Sequence, residues 1–454
     1  MRSIQLFIFS IVIITLSVSC ENDYSFRGSA DSISFSADTL SFDTIFTGER
    51  TTTAKLLIYN VSSDDMTVEN IYLKGGESSQ FSVNINGISD TQVTNVRLQS
   101  KDSLYVFIDV NPLETNDIEP YILEDKIIVE SGGNTWEAVI IAYGQNVTRV
   151  CGTLTDLHWT EGMPYLITST ATVDSASNLI VDAGTRICFA EDASLQIYGQ
   201  LNINGILDNQ VVIKGNRFEE FYDNIPGQWN SISIEIGSTG NSIEYAEISN
   251  ALYCITVDSA AQIDINNVIL RDASHGAILA FDADINITNS ILYNCGGPLV
   301  AMYGGRMSML HCTLSNYFSW ETRSDATFYA TAASQYPEIE SITIANSIII
   351  GNLSNELQLD SVSTESTTIT NSYIRLKSES QISDDERFID IAIGSLPGFV
   401  DRSNYNFQLS ANAAARDIGS ADFSADAPTD FLGNSRLSDD APDAGAFEYL
   451  TYDE

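Results

Sequence analysis

The sequence has little positive charge, with 21 lysines and arginines against 61 aspartates and glutamates in 454 residues and a formal net charge of −40. Such an acidic excess keeps a protein soluble and repels phosphate backbones and anionic lipid head groups. We therefore predict no nucleic-acid partner and interpret the charge as a solvated acidic surface. A cation-binding face is the alternative, but no run of acids has the D-x-D-x-D-G spacing of a calcium loop.

The spacing typical of a zinc site is also missing, because none of the six cysteines forms a C-x-x-C pair. We predict instead that Cys254, Cys295 and Cys312 are buried as small hydrophobic residues. A bridge between Cys151 and Cys188 stays open as an alternative for an exported protein. We predict no metal and no other cofactor.

The N-terminus has an apolar run at residues 4–16, which is too short to cross a bilayer. This run, one positive charge and the small residues before Cys20 are typical of a secretory signal. Residues 17–20 resemble the lipobox of bacterial lipoproteins, although the preferred leucine lies one place early, and residues 21–23 are similar to an export signal of Bacteroidetes surface lipoproteins. The resemblance implies acylation of Cys20 and an outer-membrane, surface-exposed protein that meets the membrane only through this lipid anchor. An ordinary signal peptide with an incidental cysteine is the alternative.

Short strands recur between residues 33 and 148, after a polar tether at 21–32. Seven or eight strands in this length, separated by turn-forming clusters, predict a β-sandwich. The predicted strands are 33–35, 40–42, 54–59, 67–73, 81–85, 104–110, 126–130 and 137–143. Segments 40–43, 57–60, 107–112, 125–129 and 142–144 resemble Ig-like domains of the hydin and abnormal-spindle type, which implies a spacer or an adhesion module.

A repeat of 22 residues runs through the second half of the chain. It is carried by three columns: Ile243, Ile265, Ile287 and Met309; Ile248, Leu270, Leu292 and Leu314; Asn250, Asp272, Asn294 and Asn316. Residues alternate within each repeat with the period of a strand, and short strands at this spacing predict the coils of a parallel β-helix. A further column is predicted to be structural, at the corners of the coils: Asn267, Asn289, His311, Asn346 and Asn371.

Residues 158–165, 179–185, 195–201 and 206–211 resemble the opening coils of bacterial right-handed parallel β-helix proteins with a pectin-lyase-like architecture. Segments between 399 and 448 are similar to the part that closes many of these surface proteins, and their Asp and Arg residues are predicted to form structural ion pairs. We therefore predict an all-β protein. Its parts are a lipoprotein signal peptide (1–20), a tether (21–32), an Ig-like β-sandwich (33–148), a right-handed parallel β-helix (151–394) and a C-terminal cap (395–454).

Polysaccharide-cleaving enzymes on this fold use clustered acids, often with calcium and a basic residue. The polygalacturonase type needs Asn-Thr-Asp, Asp-Asp and Gly-His-Gly sets on adjacent coils. Asn-Thr-Asp is missing here, and Ser274-His275-Gly276 is the only partial match to the last set. Arg271 and Asp272 lie beside it, but Asp272 belongs to the turn column. We predict no catalytic residue.

Two excursions interrupt the rhythm of the coils, at residues 215–230 and between Met309 and Ile344, where one repeat grows from 22 to 35 residues. Loops on a rigid scaffold often carry function, and exposed aromatic rings with nearby acids suit sugar recognition. The candidate glycan contacts are Tyr317, Phe318, Trp320, Phe328, Tyr329, Glu219, Glu220 and Asp223. The alternative is that these rings pack on the flank of the coils, as Trp229 is predicted to do.

These patterns favour a non-catalytic surface lipoprotein for recognition or adhesion, with a polysaccharide as its partner. A polysaccharide lyase or glycoside hydrolase is one alternative, and a structural component of the envelope is another. The enzyme needs three acids, or acids with an arginine, in one exposed groove. Binding needs exposed aromatic rings from the excursions on one face, without such a cluster.

Overall fold

The computed structural model describes residues 32–49, 51–332, 338–438 and 440–450. These residues form two compact units. One unit comprises residues 32–114 and Pro120–Gln145, and the other comprises Thr115–Glu119 and the chain from Asn146 onward. The predicted signal peptide, the lipidation site Cys20 and nearly all of the predicted tether lie outside the described residues. No helix in these ranges is long and apolar enough to cross a membrane.

The first unit is a β-sandwich, as predicted. One sheet has the strand order β1-β3-β7-β5 and the other has the order β2-β9-β8-β4-β6. Alternate side chains of both sheets point inward and form one apolar core, since a strand presents every second residue to the same face. The strands are β1 (Ile33–Phe35), β2 (Thr39–Phe46), β3 (Ala54–Asn60), β4 (Met66–Leu73), β5 (Phe81–Ile85), β6 (Gln92–Leu98), β7 (Ser103–Val110), β8 (Tyr121–Ser131) and β9 (Asn134–Gln145).

Strand β6 is missing from the sequence prediction because its hydrophobic alternation is broken. Val93 and Val96 are both buried although they are three residues apart. Asn95 between them has a φ of 56°, and the pairing with β4 passes from Thr94 to Val96. Neither Asn95 nor Glu69 opposite it pairs, and the register is the same on both sides of them, so the left-handed residue turns the inward side by one position without an inserted residue. A strict test for alternation therefore overlooks the strand.

The second unit is a parallel β-helix, in which each strand pairs with its counterpart in the next coil. Successive coils build three faces of parallel strands around one apolar core. The opening strands are β10 (Thr148–Thr153), β11 (His158–Trp159) and β12 (Tyr165–Val173).

The first face contains the last part of β12, followed by β15 (Leu195–Ile197), β18 (Ile232–Ile234), β21 (Tyr253–Val257), β24 (Gly276–Thr288), β26 (Val300–Leu310), β28 (Phe328–Thr331) and β31 (Leu357–Asp360). The second face contains β13 (Asn178–Asp182), β16 (Gln200–Asn204), β19 (Asn241–Glu244), β22 (Gln262–Asn266), the later parts of β24 and β26, β29 (Ile339–Ala345), β32 (Thr367–Thr370) and β34 (Phe388–Ile389). The third face contains β14 (Arg186–Phe189), β17 (Val211–Gly215), β20 (Ala246–Ser249), β23 (Ile269–Arg271), β25 (Ile291–Tyr293), β27 (Thr313–Asn316), β30 (Ile348–Gly351), β33 (Tyr373–Ile374) and β35 (Ala392–Ile393).

The aliphatic columns predicted from the 22-residue repeat are confirmed. Ile243 pairs with Ile265, Ile265 with Ile287, and Ile287 with Met309, and all four are buried. The column that begins at Ile248 is likewise in register and buried. Each coil therefore covers the apolar interior of its neighbour, which is the physical basis of a solenoid.

The corner column is also structural, as predicted. Each of its residues has a φ near +50°, a left-handed backbone that asparagine tolerates better than most residues. His311 occupies the corner where other coils have asparagine, and its Nε2 lies 3.0 Å from the side-chain nitrogen of Asn346. Burial lowers the pKa of His311 to about 2, so the imidazole is held neutral and does not act as a base near neutral pH.

The cysteines predicted to be buried are buried. The side chains of Cys254, Cys295 and Cys312 lie in the core of the coils, and burial raises the pKa of the Cys254 thiol to about 12. Cys151 and Cys188 are both free, the first exposed and the second buried.

Five short 3₁₀ helices occur among the described residues: η1 (Gly76–Ser78), η2 (Glu220–Tyr222), η3 (Glu379–Gln381), η4 (Arg402–Asn404) and η5 (Ala421–Phe423). The C-terminal segment also contains a two-stranded ribbon of β36 (Phe399–Asp401) and β37 (Asn406–Leu409).

The C-terminal segment, predicted to cap the coils, packs along their third face. Its apolar residues cover the outward side chains of that face, including Ile291, Ile348 and Tyr373. Three corner asparagines hold it by donating hydrogen bonds to its backbone: Asn289 to Thr429, Asn346 to Ser420 and Asn371 to Ile418. The segment therefore shields the outer surface of several coils, because strands with apolar residues on both sides need a second cover.

The C-terminal segment contains a structural ion pair of the predicted kind, and this pair is buried. Arg436 donates to Glu448 at 2.7 Å and to the side-chain oxygen of Asn289 at 2.6 Å, which links the segment to a corner of the coils. Both side chains of the pair are almost completely inaccessible to solvent.

Candidate functional site

An open groove of about 810 Å³ follows the first face and the adjoining corner loops. Outward side chains of the first face form its floor, and loops between the third and first faces form its wall. The floor consists of Leu279, Ala301, Tyr303, Tyr329 and Gln358. The wall consists of Tyr253, at the start of β21, and of the loop residues Ile225, Pro226, Ser274, His275, Gly296, Gly297, Pro298, Phe318, Trp320, Glu321 and Asp325. Both excursions contribute, since Ile225 belongs to the first and Trp320 to the second.

Aromatic rings run along this groove because parallel pairing places outward residues of successive coils side by side. The ring centroids of Tyr303 and Tyr329 are 5.9 Å apart in an edge-to-face arrangement. The ring centroids of Tyr253 and His275 are 5.3 Å apart. Trp320 stands at the wall with 53% of its surface exposed. Burial raises the pKa of Tyr253, so its hydroxyl stays protonated and can donate a hydrogen bond. The groove thus offers several flat apolar faces and phenolic hydroxyl groups.

The polar groups of the groove are few. Glu321 and Asp325 are exposed, and they are the two carboxylates among the described residues that line it. Gln358 contributes an amide on the floor, and Ser274 contributes a hydroxyl 2.9 Å from Nδ1 of His275. No arginine or lysine of the described chain lines the groove. Its chemistry is therefore that of hydrogen bonding and ring stacking, with a negative potential.

A buried ion pair supports the loop that carries the wall. The side chains of Arg323 and Glu356 are fully buried and lie 2.8 Å apart. Glu356 also accepts hydrogen bonds from the backbone and hydroxyl of Thr327, at 3.0 and 2.7 Å. Arg323 donates to the backbone oxygen of Asp325 at 3.0 Å. These bonds tie the backbone of Asp325 and Thr327, at the end of the wall loop, to the buried pair.

Three of the eight predicted glycan contacts, all from the second excursion, lie in the groove. Phe318 is almost completely buried and forms an apolar base, Trp320 is exposed, and Tyr329 lies on the floor. The prediction for Phe328 is wrong, because the side chain is fully buried in the core of the coils. Its neighbour Tyr329 points outward because successive strand residues face opposite sides.

Tyr317 lies on the other side of the same loop, outside the groove. Its ring is covered by the guanidinium group of Arg402, whose central carbon is 3.7 Å from the ring centroid.

The predicted acids of the first excursion do not line the groove. Glu219 pairs with Arg217 at 2.6 Å, and Asp223 pairs with Lys214 at 3.1 Å. Glu220 is exposed in η2, away from the groove. The predicted packing of Trp229 is confirmed: it is buried, with its ring stacked 4.0 Å from that of Phe189. The contribution of this excursion to the groove comes from Ile225 and Pro226 instead.

The residues Arg271, Asp272 and His275 do not form one site. Arg271 pairs with Glu247 at 2.6 Å and also with Asp272, whose side chain is fully buried. Burial raises the pKa of Asp272. His275 faces the groove. Arg271 and Asp272 therefore belong to a largely buried structural ion-pair network with Glu247.

Several groove residues are missing from the sequence prediction. Tyr303 follows Phe281 by one repeat of 22 residues, and their ring centroids are 5.3 Å apart. This spacing of outward aromatic residues could have predicted Tyr303 as a groove residue from the sequence. Arg323 and Glu356 give no such signal, because 33 residues separate them and one of them lies in the irregular repeat. No group of three or more His, Cys, Asp or Glu side chains able to hold a metal ion occurs in the part of the chain that the structure describes.

No family model and no curated protein matches this chain. Among solved structures, it is similar to a family 123 glycoside hydrolase from Clostridium perfringens, described as hydrolysing glycolipid glycans, with 9% identity over 25% of each chain and a TM-score of 0.19. It is also similar to the PapD-like domain 7 of human CEP192, with 16% identity over 29% of this chain and 96% of that domain and a TM-score of 0.19. A Porphyromonas gingivalis W83 protein of unknown function has 11% identity over 32% of this chain and 60% of the other, with a TM-score of 0.20. The chain thus spans about a quarter of the length of the glycoside hydrolase, and at these TM-scores the matches carry no argument about function.

Proposed function

We propose that this protein binds a polysaccharide in the groove and does not cleave it. The observation that carries the proposal is the set of aromatic rings along one open face, with Trp320 exposed at the wall beside Tyr303 and Tyr329 on the floor. Sugar rings present apolar faces that stack on such side chains, while carboxylates and amides bond to their hydroxyl groups. Glu321, Asp325 and Gln358 supply these polar groups.

The charge of the groove favours a neutral glycan. Its two carboxylates repel uronates and sulfated sugars that enter the groove, and no lysine or arginine of the described residues lines it to offset them. The cleavage alternative receives less support, since the groove has two acids where three acids, or acids with an arginine, are needed. The arginine of the wall loop, Arg323, is buried in its ion pair with Glu356.

The proposal includes a place for the protein in the cell. We propose that Cys20 is acylated, that the protein is anchored in the outer membrane and faces outward, and that the β-sandwich acts as a spacer or adhesion module. The N-terminal pattern described above supports this proposal. Labelling cells with a radioactive or clickable fatty acid tests it, because Cys20→Ser should abolish incorporation into the protein.

The binding test uses the chain from residue 21 onward on an array of neutral and acidic polysaccharides. Trp320→Ala should lower the affinity for the bound glycan by about tenfold or more, which corresponds to about 1.4 kcal/mol. Phe221→Ala is the matched control, since this ring is 71% exposed on the first excursion and does not line the groove. The control should bind like the unchanged protein.

Two results would overturn the proposal. Release of reducing ends from any polysaccharide on the array would show cleavage, and the enzyme alternative would replace binding. A complete lack of glycan binding, or equal loss in both variants, would favour a structural role in the envelope.

A further inference from the structure

A second cavity lies on the opposite side of the loop that forms the groove wall. Side chains of residues 317–320 alternate: Phe318 and Trp320 line the groove, whereas Tyr317 and Ser319 line this second cavity of about 150 Å³, here named the flank pocket. Its other walls come from the coils and from the C-terminal segment: Asn294, Ser315, Arg402, Ser403, Tyr405 and Phe407. The volume corresponds to about five water molecules, which suits one small organic molecule.

The rim of the flank pocket carries a cation without an anionic partner. No carboxylate of the described residues lies within ion-pair distance of Arg402, although the chain is strongly acidic. The carboxylate of its neighbour Asp401 accepts hydrogen bonds from the backbone of Ser403 and Asn404 instead. Stacking on Tyr317 fixes the plane of the guanidinium group and leaves its edge available for a planar anion.

The floor of the pocket has an unsatisfied polar group. Ser315 is 3% exposed, and its hydroxyl has no hydrogen-bond partner among the described residues. Buried hydroxyl groups are normally paired, so a ligand that reaches the floor would satisfy this one. The hydroxyl of Tyr405 accepts a hydrogen bond of 3.4 Å from Asn294, which leaves its own proton to donate.

We propose that the flank pocket binds the carboxylate of an acidic monosaccharide. Arg402 pairs with the carboxylate, Ser315 and Ser403 bond to oxygen atoms of the ligand, and Tyr405 and Phe407 contact its apolar side. This site is separate from the glycan groove and does not depend on the function proposed for it. The flank pocket recognises a negatively charged ligand through Arg402, whereas the groove contains only carboxylates as charged groups.

Calorimetric titration of the chain from residue 21 onward with glucuronate tests the proposal, with the methyl ester of glucuronate as a neutral control of nearly the same shape. Glucuronate should bind about tenfold more tightly than the ester. Arg402→Gln should remove this preference, and Trp320→Ala should leave it unchanged. A trisaccharide ending in glucuronate separates two sources of the ligand, because tighter binding than the free acid indicates a chain end and equal binding indicates the free sugar acid.

A second variant keeps the test decisive if Arg402→Gln does not fold. Ser319→Leu changes an exposed residue at the mouth and should weaken glucuronate binding by blocking entry. The proposal is overturned if glucuronate and its ester bind equally, if neither binds at millimolar concentration, or if folded Arg402→Gln binds glucuronate as the unchanged protein does.

Discussion

Arg323 shows how a residue without access to solvent can shape a binding surface. Its side chain is buried against Glu356, yet it fixes the loop that presents Trp320 and the two carboxylates of the groove. Burying two charges costs free energy, and the pair offsets this cost only while both partners and their hydrogen bonds are present. The shape of the groove wall therefore depends on a buried ion pair that does not itself line the groove.

Replacing Arg323 by methionine should destabilise the β-helix by about 3–5 kcal/mol, because Glu356 would remain buried without a counter-charge. Urea unfolding, followed by tryptophan fluorescence, measures this loss. Arg306→Met is the matched control in the same unit, since its pair with Glu340 is exposed on both sides and should contribute little or nothing. The double variant Arg323→Met with Glu356→Leu should regain part of the lost stability. A wild-type stability for Arg323→Met alone would show that the pair does not hold the loop.

His311 gives a pH-dependent contribution whose sign follows from its burial. The folded protein holds its pKa near 2, whereas an unfolded histidine titrates near 6.5, so below about pH 6 the unfolded state binds a proton that the folded state does not. The free energy of unfolding therefore falls with falling pH, by up to about 1.4 kcal/mol per pH unit from this residue. His311→Asn, which restores the residue used at the other corners, should remove that part of the slope. Unfolding of both proteins at pH 5 and pH 8 checks this, and identical slopes would contradict it.

The register of a single strand explains where residue-level prediction succeeded and failed. Ile265 and Ile287 could be placed in the core because the repeat length is constant between them. A residue that points inward in one coil is then followed, 22 residues later, by a residue that also points inward. Phe328 and Tyr329 could not, because the long irregular repeat before them hides which of two neighbours points inward. Long-range pairs such as Arg323 with Glu356 carry no periodic signal at all.

At the scale of elements, the strands of the third face are buried on both sides. The interior covers one side of β27 and β30, and the C-terminal segment covers the other, so every residue of these strands is buried. The run Ile348-Ile349-Ile350 was a sequence signal for such double burial. The segment's position along the coils was not predictable, because it is attached through corner asparagines and irregular backbone that have no repeat of their own.

Replacing Asn346 by alanine should loosen the C-terminal segment. The asparagine donates to the backbone oxygen of Ser420 at 2.9 Å and accepts from its backbone nitrogen at 2.8 Å, and loss of these bonds should cost about 1–3 kcal/mol. Hydrogen exchange at the amide of Ser420 measures the effect directly and should become faster.

Asn267→Ala is the control for this variant. Asn267 has the same left-handed backbone, with a φ of 53° against 48° for Asn346, but makes no side-chain bond to the C-terminal segment among the described residues. Both variants lose the tolerance of asparagine for the left-handed backbone. The difference in exchange at Ser420 between them therefore measures how strongly Asn346 holds the C-terminal segment. Equal exchange at Ser420 in both variants would show that the corner residue does not hold the segment.

At the scale of the molecule, the repeat period predicted the architecture and left the chemistry open. The aliphatic columns dictate that the coils stack on a common core. The groove depends instead on which outward side chains and loops lie next to one another. The floor was accessible in principle through columns such as Phe281 with Tyr303. The wall was accessible only in part, because Ser274, Gly296 and Phe318 keep the 22-residue spacing. Ile225, Trp320 and Asp325 lie in the two irregular excursions, which carry no such spacing.

The acidic excess of the whole chain should make its stability depend on salt. With 61 acidic and 21 basic residues, repulsion within the folded state outweighs the attraction of its ion pairs. Raising sodium chloride from about 0.01 M to about 0.1 M shortens the Debye length from roughly 30 Å to roughly 10 Å and screens this repulsion. The melting temperature should therefore increase, by about 2–4 °C for each kcal/mol gained. Magnesium chloride at equal ionic strength is the control: an equal increase indicates screening, a larger one would reveal bound cations, and a decrease with either salt would contradict the dominance of repulsion.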